Sequence, residues 1–439
     1  MLICPNPGRC PPDALWRHLY LVSFSTWRYV VGRKVFHLSD SAPQKISTAE
    51  FVALIAMMFS VVAFSIDSFL PAIPEIENDL QAPGRAPELM SMFMVGLAFG
   101  TLFAGPISDS IGRKPTMYLG VGLFIGAGAV AWMSQSFETI LMARLLQGVG
   151  GAGPRIVSMA IVRDLYAGRR MAQIISLAMV LFAVVPTLAP LMGLLLSTVF
   201  GWRAILLALI IFMAICALWL GLRVRESLPR KARRPFRSGE LLRSALEVWD
   251  HPVVRRAILA QSIALALIFC LIVTVQQIYD QVYGHAHDFA YWFGGIALLA
   301  AGSTSLLNAR MVMYMGMQRM IMIGLLGQAG SAGVAALAIW LAPFDTFMVF
   351  VAWQFAVIFL TGLTVGNLNA LALEPMGHIS GFAASIVGFV ATLLAALASW
   401  VAVAIFDGTP LPVILMSMVL GSIGAWLICD IQRARPAST

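Results

Sequence analysis

The sequence predicts an all-α membrane protein with twelve spanning helices, and three observations carry that prediction. The chain of 439 residues is 60% hydrophobic and only 11% charged, far from the usage of a soluble globular domain. Its apolar runs are long and rich in Leu, Ala, Met and Gly, whereas an outer-membrane barrel would show alternating strands of about 10 residues. A helix rising about 1.5 Å per residue needs about 20 apolar residues to cross roughly 30 Å of hydrocarbon, and residues 50–430 have room for a dozen such runs.

In chain order the runs are expected at 50–72, 87–108, 115–133, 138–162, 171–197 and 203–222, and then at 255–279, 289–309, 319–341, 346–372, 379–405 and 411–430. This divides the chain into an extension at 1–48, a six-helix half at 49–222, a basic linker at 223–254, a second half at 255–430 and a tail at 431–439. GRKP at Gly112–Pro115 and GMQR at Gly316–Arg319 stand 204 residues apart, close to the offset between the starts of the first and seventh runs. Two pseudo-symmetric halves with a cavity between them fit that spacing. The extension lacks the small-residue cleavage site of a secretory signal. Trp16, Tyr20, Trp27 and Tyr29 beside basic residues suit an interfacial helix, and a disordered segment suits the composition equally.

The net charge of +8 does not call for nucleic acid. With the N-terminus placed in the cytoplasm, 25 of the 29 Lys and Arg fall on the inner side, and only Arg85 and Arg203 fall in outward loops. That asymmetry is the positive-inside rule, and it puts both termini in the cytoplasm. Five cysteines without CxxC spacing and six histidines at loops or span ends offer neither a metal site nor a nucleophilic triad. The sequence lacks a GxxxxGK[ST] phosphate cradle. Enzyme activity and cofactors are not expected, and energy should come from an ion gradient.

Most of the candidate functional motifs lie in the first half. GPISDSIGRKPTMYLG, residues 105–120, sets Gly105, Asp109, Gly112, Arg113 and Lys114 in a short charged turn. The fourth run, LMARLLQGVGGAGPRIVSMAIVRDLY, carries Arg144 and Arg155, 11 residues apart and so on nearly one helical face; Gln147, Gly148 and Gly151 share that face and are expected to leave space beside the two guanidiniums, which makes them and Arg155 candidates for a substrate cavity. An Arg this deep needs a partner, a watery cavity or a path by which to snorkel. In VVPTLAPLMGLLL, Pro186, Pro190 and Gly193 are expected to bend the fifth helix or permit close packing. Gln276 and Gln277 in the seventh run and Asn367 in the tenth are candidates either for a substrate cavity or for bonds between helices.

These motifs resemble those of the major facilitator superfamily. The 105–120 turn is similar to the family's gating motif, with Ser110 in place of the usual basic residue. The R-L-L-Q-G stretch at Arg144 resembles its fourth-helix motif, and the Pro190 region resembles a degraded antiporter motif with Ala189 and Leu194 where glycines are usual. IDSFLPAIP at Ile66–Pro74, EPMGHISGFAASIVGF at 374–389 and FDGTPLP at 406–412 resemble the Bcr/CflA drug-exporting branch. The resemblance implies a major facilitator fold, a small-molecule substrate and proton antiport, with Asp67 and Arg144 as the coupling residues and the bilayer as the working environment of a monomer. Removal from water disfavours a carboxylate's charged form and a nearby guanidinium favours it, so opposed influences could tune Asp67 to take up and release protons. A purely structural ion pair with Arg144 is the alternative role. Proton-coupled uptake uses the same residues in the other direction. With Asp67 the only acidic residue deep in a run, the expected substrates are neutral, zwitterionic or weakly acidic amphiphiles.

Overall fold

The computed structural model describes residues 46–434 apart from 183, 234, 236, 237 and 342–344, so the expectations for the N-terminal extension lie almost wholly outside the described residues. Among the described residues all regular structure is helical, and twelve helices are long and apolar enough to cross a membrane. They are Thr48–Asp79, Glu88–Ile111, Arg113–Met133, Phe137–Leu165, Gln173–Phe200 and Arg203–Arg223 in the first half. In the second they are Pro252–Val282, Phe289–Met315, Met317–Leu341, Phe347–Gly377, Gly381–Ala404 and Leu411–Asp430. Below they are the first to the twelfth spans.

Three departures from the expected organisation matter. The first span does not stop near residue 72 but breaks and resumes: a helix Thr48–Asp67 leads into a 3-10 turn, Leu70–Ala72, and then a short helix, Ile73–Asp79. Pro71 and Pro74 lie in the first turns of the two short pieces, where a proline's missing N–H breaks no helical bond. Asp67 is therefore the last residue before a break. The linker, expected only as a polar insertion, contains a helix, Ser238–Asp250. The fifth span is interrupted between Gly168–Phe182 and Val185–Phe200, with Pro186 in the first turn after the interruption and Pro190 inside the second piece.

Small residues let the helices touch backbone to backbone. A Cβ on Gly96 would lie 1.9 Å from the Leu145 carbonyl oxygen, and one on Gly148 2.0 Å from that of Phe93. The second and fourth spans can approach this closely only because those side chains are absent. This corrects the expectation that Gly148 leaves space beside the arginines, since its missing side chain is filled by the neighbouring backbone. The turns at Gly112 and Gly316 share one device: each glycine has a positive φ, 112° and 77°, and joins a helix ending just before it to another beginning just after.

The halves meet along two seams. The second span packs on the eleventh over its length. Ser91 Oγ lies 3.0 Å from Ser399 Oγ, the Phe99 and Phe389 rings are 5.4 Å apart, and Gly388 and Gly105 allow close approach to Thr101 and Ser385. The fifth packs on the eighth, where Thr187 Oγ1 donates to the Gly294 carbonyl at 2.9 Å. The bend at Leu70–Ala72 touches the seventh span.

Candidate functional site

Arg144 is the eighth residue of the helix Phe137–Leu165, about 10 Å from the end of the bundle opposite the linker. Asp67, after a helix of 20 residues or about 30 Å, comes to a similar depth from the other direction. Arg144 is fully buried and Asp67 is 5% exposed. The guanidinium donates to the Ser65 carbonyl at 2.5 Å and to Gln147 Oε1 at 2.7 Å, and lies between the rings of Phe69 and Phe93, 4.5 and 4.6 Å from their centroids. Removing a charge from water costs several kcal/mol. Charge-assisted hydrogen bonds of about 1.5–3 kcal/mol each and desolvated cation–π contacts of about 2 kcal/mol offset that cost.

The structural ion pair between Asp67 and Arg144 does not form. Among the described residues Asp67 has no salt bridge and its carboxylate no hydrogen bond, although the backbone of the neighbouring Ser65 and the ring of Phe69 both hold the arginine. The break after Asp67 explains the arrangement: the chain around the acid, and not the acid, wraps the guanidinium. Gly193 supports the same break from the fifth span, since a Cβ there would lie 2.0 Å from the Ser68 carbonyl oxygen. Arg144 Nε, Gln147 Nε2 and the Oε1 atoms of Gln276 and Gln277 are buried without hydrogen-bond partners.

At the linker end the charges are paired. Arg113 reaches Asp109 at 2.6 Å and Asp164 of the fourth span at 2.8 Å, and donates to Ser108 Oγ at 2.5 Å. Glu226, just past the sixth span, accepts the backbone N–H groups of Arg113 at 2.9 Å and Lys114 at 3.0 Å, placing a carboxylate on the N-terminus of the third span. Lys114 Nζ donates to the Gly221 carbonyl at 2.9 Å, and Ser227 Oγ to Asp164 Oδ2 at 2.8 Å. Gly105 lies on the seam with the eleventh span. Sequence reasoning found Asp109 and Arg113 and missed Asp164, Glu226 and Ser227. The available signal was the placement of acids at span ends among clustered basic residues.

The other candidates separate. Gly151 is buried 3.6 Å from the rings of Phe124 and Phe93, as a Cβ there would measure. Arg155 is exposed, in contrast to Arg144 on nearly the same helical face. Asn367 bonds Asn308 of the eighth span at 2.9 Å and the Leu363 carbonyl at 2.8 Å, so the tie between helices is the arrangement observed. Gln354, missed in the sequence, accepts from Tyr279 Oη at 2.9 Å and lies beside Trp353, whose indole N–H is buried without a partner.

Residues 53–399 match the family model described as Major Facilitator Superfamily. The chain belongs to that superfamily. An uncharacterized MFS-type transporter of Bacillus subtilis is 27% identical over 390 residues, covering 87% of this chain and 95% of its own. A bicyclomycin resistance protein homolog of Haemophilus influenzae is 28% identical over 353 residues, 79% of this chain and 87% of that protein. The multidrug resistance protein MdtL of Escherichia coli K12 is 33% identical over 182 residues, 40% of this chain and 46% of that one. These relatives agree with the Bcr/CflA resemblance. The crystal structure of the human organic anion transporter MFSD10 (TETRAN) matches with a TM-score of 0.65 at 19% identity, covering 88% of this chain and 100% of that one, which shows a shared fold. The protein is a multi-pass membrane transporter of the major facilitator superfamily, not an enzyme.

Proposed function

We propose that this major facilitator protein exports drug-like or amphiphilic small molecules across a bacterial inner membrane in exchange for protons, with both termini in the cytoplasm. The single observation carrying the proton role is Asp67: a buried carboxylate at a helix break, uncommitted to any cation among the described residues, next to chain that binds a fully buried arginine. A carboxylate already locked in an ion pair would have to lose its partner before accepting a proton. Asp67 does not. The names of relatives, a bicyclomycin resistance protein homolog and multidrug resistance proteins, support drug-like cargo.

Alternating access then joins the two ends. Arg155 and Asn369 are exposed polar groups in the linker-ward parts of the fourth and tenth spans, and polar side chains there suit a water-filled opening to the cytoplasm better than lipid. Neutral, zwitterionic or weakly acidic amphiphiles fit a site with one carboxylate and one buried guanidinium, and the unpartnered amides of Gln276 and Gln277 can hydrogen-bond them. One chain supplies both Asp67 and Arg144, so a monomer suffices.

The test is a resistance panel in a host stripped of its main efflux pumps, followed by reconstitution with a protected compound. Wild type should protect, and substrate added to proton-loaded vesicles should release protons; Asp67→Asn should do neither at equal expression. Full protection by the variant would sink the coupling role, and proton uptake with substrate would turn the direction to symport.

A further inference from the structure

We propose that a groove between the third and fourth spans holds one phospholipid with a primary-amine headgroup, in the leaflet at the end opposite the linker. The groove is an open furrow of about 620 Å³, lined by Gly122, Gly126 and Val130 on one helix and Glu138, Met142 and Leu146 on the other. Two kinds of glycine occur here. Gly120 and Gly150 bring the helices together, each with a Cβ position under 3.0 Å from the other's carbonyl oxygen, whereas a Cβ on Gly122 or Gly126 would meet nothing within 4 Å. The second pair hollows a furrow that no described residue fills. Val130 and Met142 beside it are 51% and 54% exposed, so its walls and rims face hydrocarbon.

Length and charge select the occupant. From Leu146 to Glu138 the helix rises about 12 Å, close to the thickness of one leaflet's hydrocarbon, roughly half of 30 Å. One acyl chain fits along it. Glu138 and Thr139 form the polar mouth. There Arg85 is shared between two carboxylates, bonding both oxygens of Glu88 at 3.0 and 3.1 Å and one oxygen of Glu138 at 3.0 Å. These bonds hold the guanidinium above its ordinary pKa, and one cation between two acids leaves the mouth net negative. The Glu138 side chain is 67% exposed, with its second oxygen free of hydrogen bonds among the described residues. A headgroup ammonium can donate to that oxygen. A choline headgroup has no N–H to give, and an anionic glycerol headgroup is repelled.

Native mass spectrometry of the purified full chain tests this, with phosphatidylethanolamine, phosphatidylcholine and phosphatidylglycerol of matched acyl chains offered at equal amounts. Wild type should retain one phosphatidylethanolamine about two- to fivefold better than phosphatidylcholine, the ratio that one exposed charge pair supplies. Glu138→Gln should erase that preference while still holding lipid, and Gly126→Leu should hold neither lipid. Gly122→Leu replaces Gly126→Leu if a thermal melt shows the latter misfolded. Equal retention of the first two lipids by wild type, a preference for phosphatidylglycerol, or unchanged retention in the groove variants overturns the proposal. So does a wild-type dimer that Gly126→Leu dissolves, which would make the groove an interface between copies. Lipid retention is read without transport, so its failure leaves the proposed transport function untouched.

Discussion

The two ends of the first half treat charge in opposite ways. At the linker end Arg113 is closed by Asp109, Asp164 and Ser108, and Glu226 caps the helix that Arg113 begins. Near the other end Arg144 is fully buried yet held by a carbonyl, an amide and two aromatic rings, while the carboxylate of Asp67 carries no hydrogen bond or ion pair among the described residues. The Arg113 network reaches solvent mainly through Asp109, whose side chain is 47% exposed, and a charge pair at such an edge costs less to break than one fully enclosed. A buried arginine held without an acid leaves the acid's protonation state open. The first arrangement suits a latch between helix ends, the second a site that changes charge during transport.

The sharpest way to break this contrast is Arg144. Arg144→Ala would strip the Ser65 carbonyl and Gln147 of their donor, a loss of about 3 kcal/mol or more for the two charge-assisted bonds, and transport by reconstituted protein should fall about a hundredfold or more. Arg144→Lys keeps the charge but not the planar fork that reaches two acceptors between two rings; it should recover little. Wild-type transport by the lysine variant would mean that a point charge is all the site requires.

A smaller effect is expected at the latch. Arg113→Ala leaves Asp109 and Asp164 without their shared cation; Arg113 is buried and Asp164 only 20% exposed, while Asp109 is half exposed, so the cost falls between the exposed and the buried regimes, at about 1–2 kcal/mol. Transport should be reduced but measurable, and cysteine accessibility near Ser385 of the eleventh span should change as the equilibrium between conformations shifts. Unaltered accessibility would reduce the cluster to a surface anchor. Smallest of all should be Glu226→Gln, which keeps an acceptor on the third span's N-terminus and removes only the charge, worth about 0.3–1 kcal/mol. A lowered melting temperature with near-normal transport is the expected outcome, and a loss as large as that of Arg144→Ala would place the working charge at the wrong end.

The spans were legible because a lipid-crossing helix must be apolar throughout, so composition and run length locate it without knowledge of its neighbours. The Gly112 and Gly316 turns were legible because each hinges on a glycine where the backbone takes a positive φ. The site was legible only in part. Asp67 and Arg144 declared themselves by being charged where charge is costly, but their relation did not: sequence allowed an ion pair, and the break at 67–70 instead turns the backbone of Ser65 toward the guanidinium. Gly148 and Asn367 read as cavity residues on spacing and chemistry, and became helix-to-helix contacts once the second and eighth spans were in place.

The sequence by itself determined a twelve-helix transporter architecture, the two unusual charges and the charged turn, because each follows from the cost of putting a residue type into hydrocarbon. Only the tertiary structure decided which charges are paired and which glycines pack, and that the helix-breaking prolines after Asp67 aim a carbonyl instead of a carboxylate at Arg144. Those outcomes depend on distances between helices far apart in the chain, and at Gly193 and Ser68 the whole arrangement rests on one absent side chain.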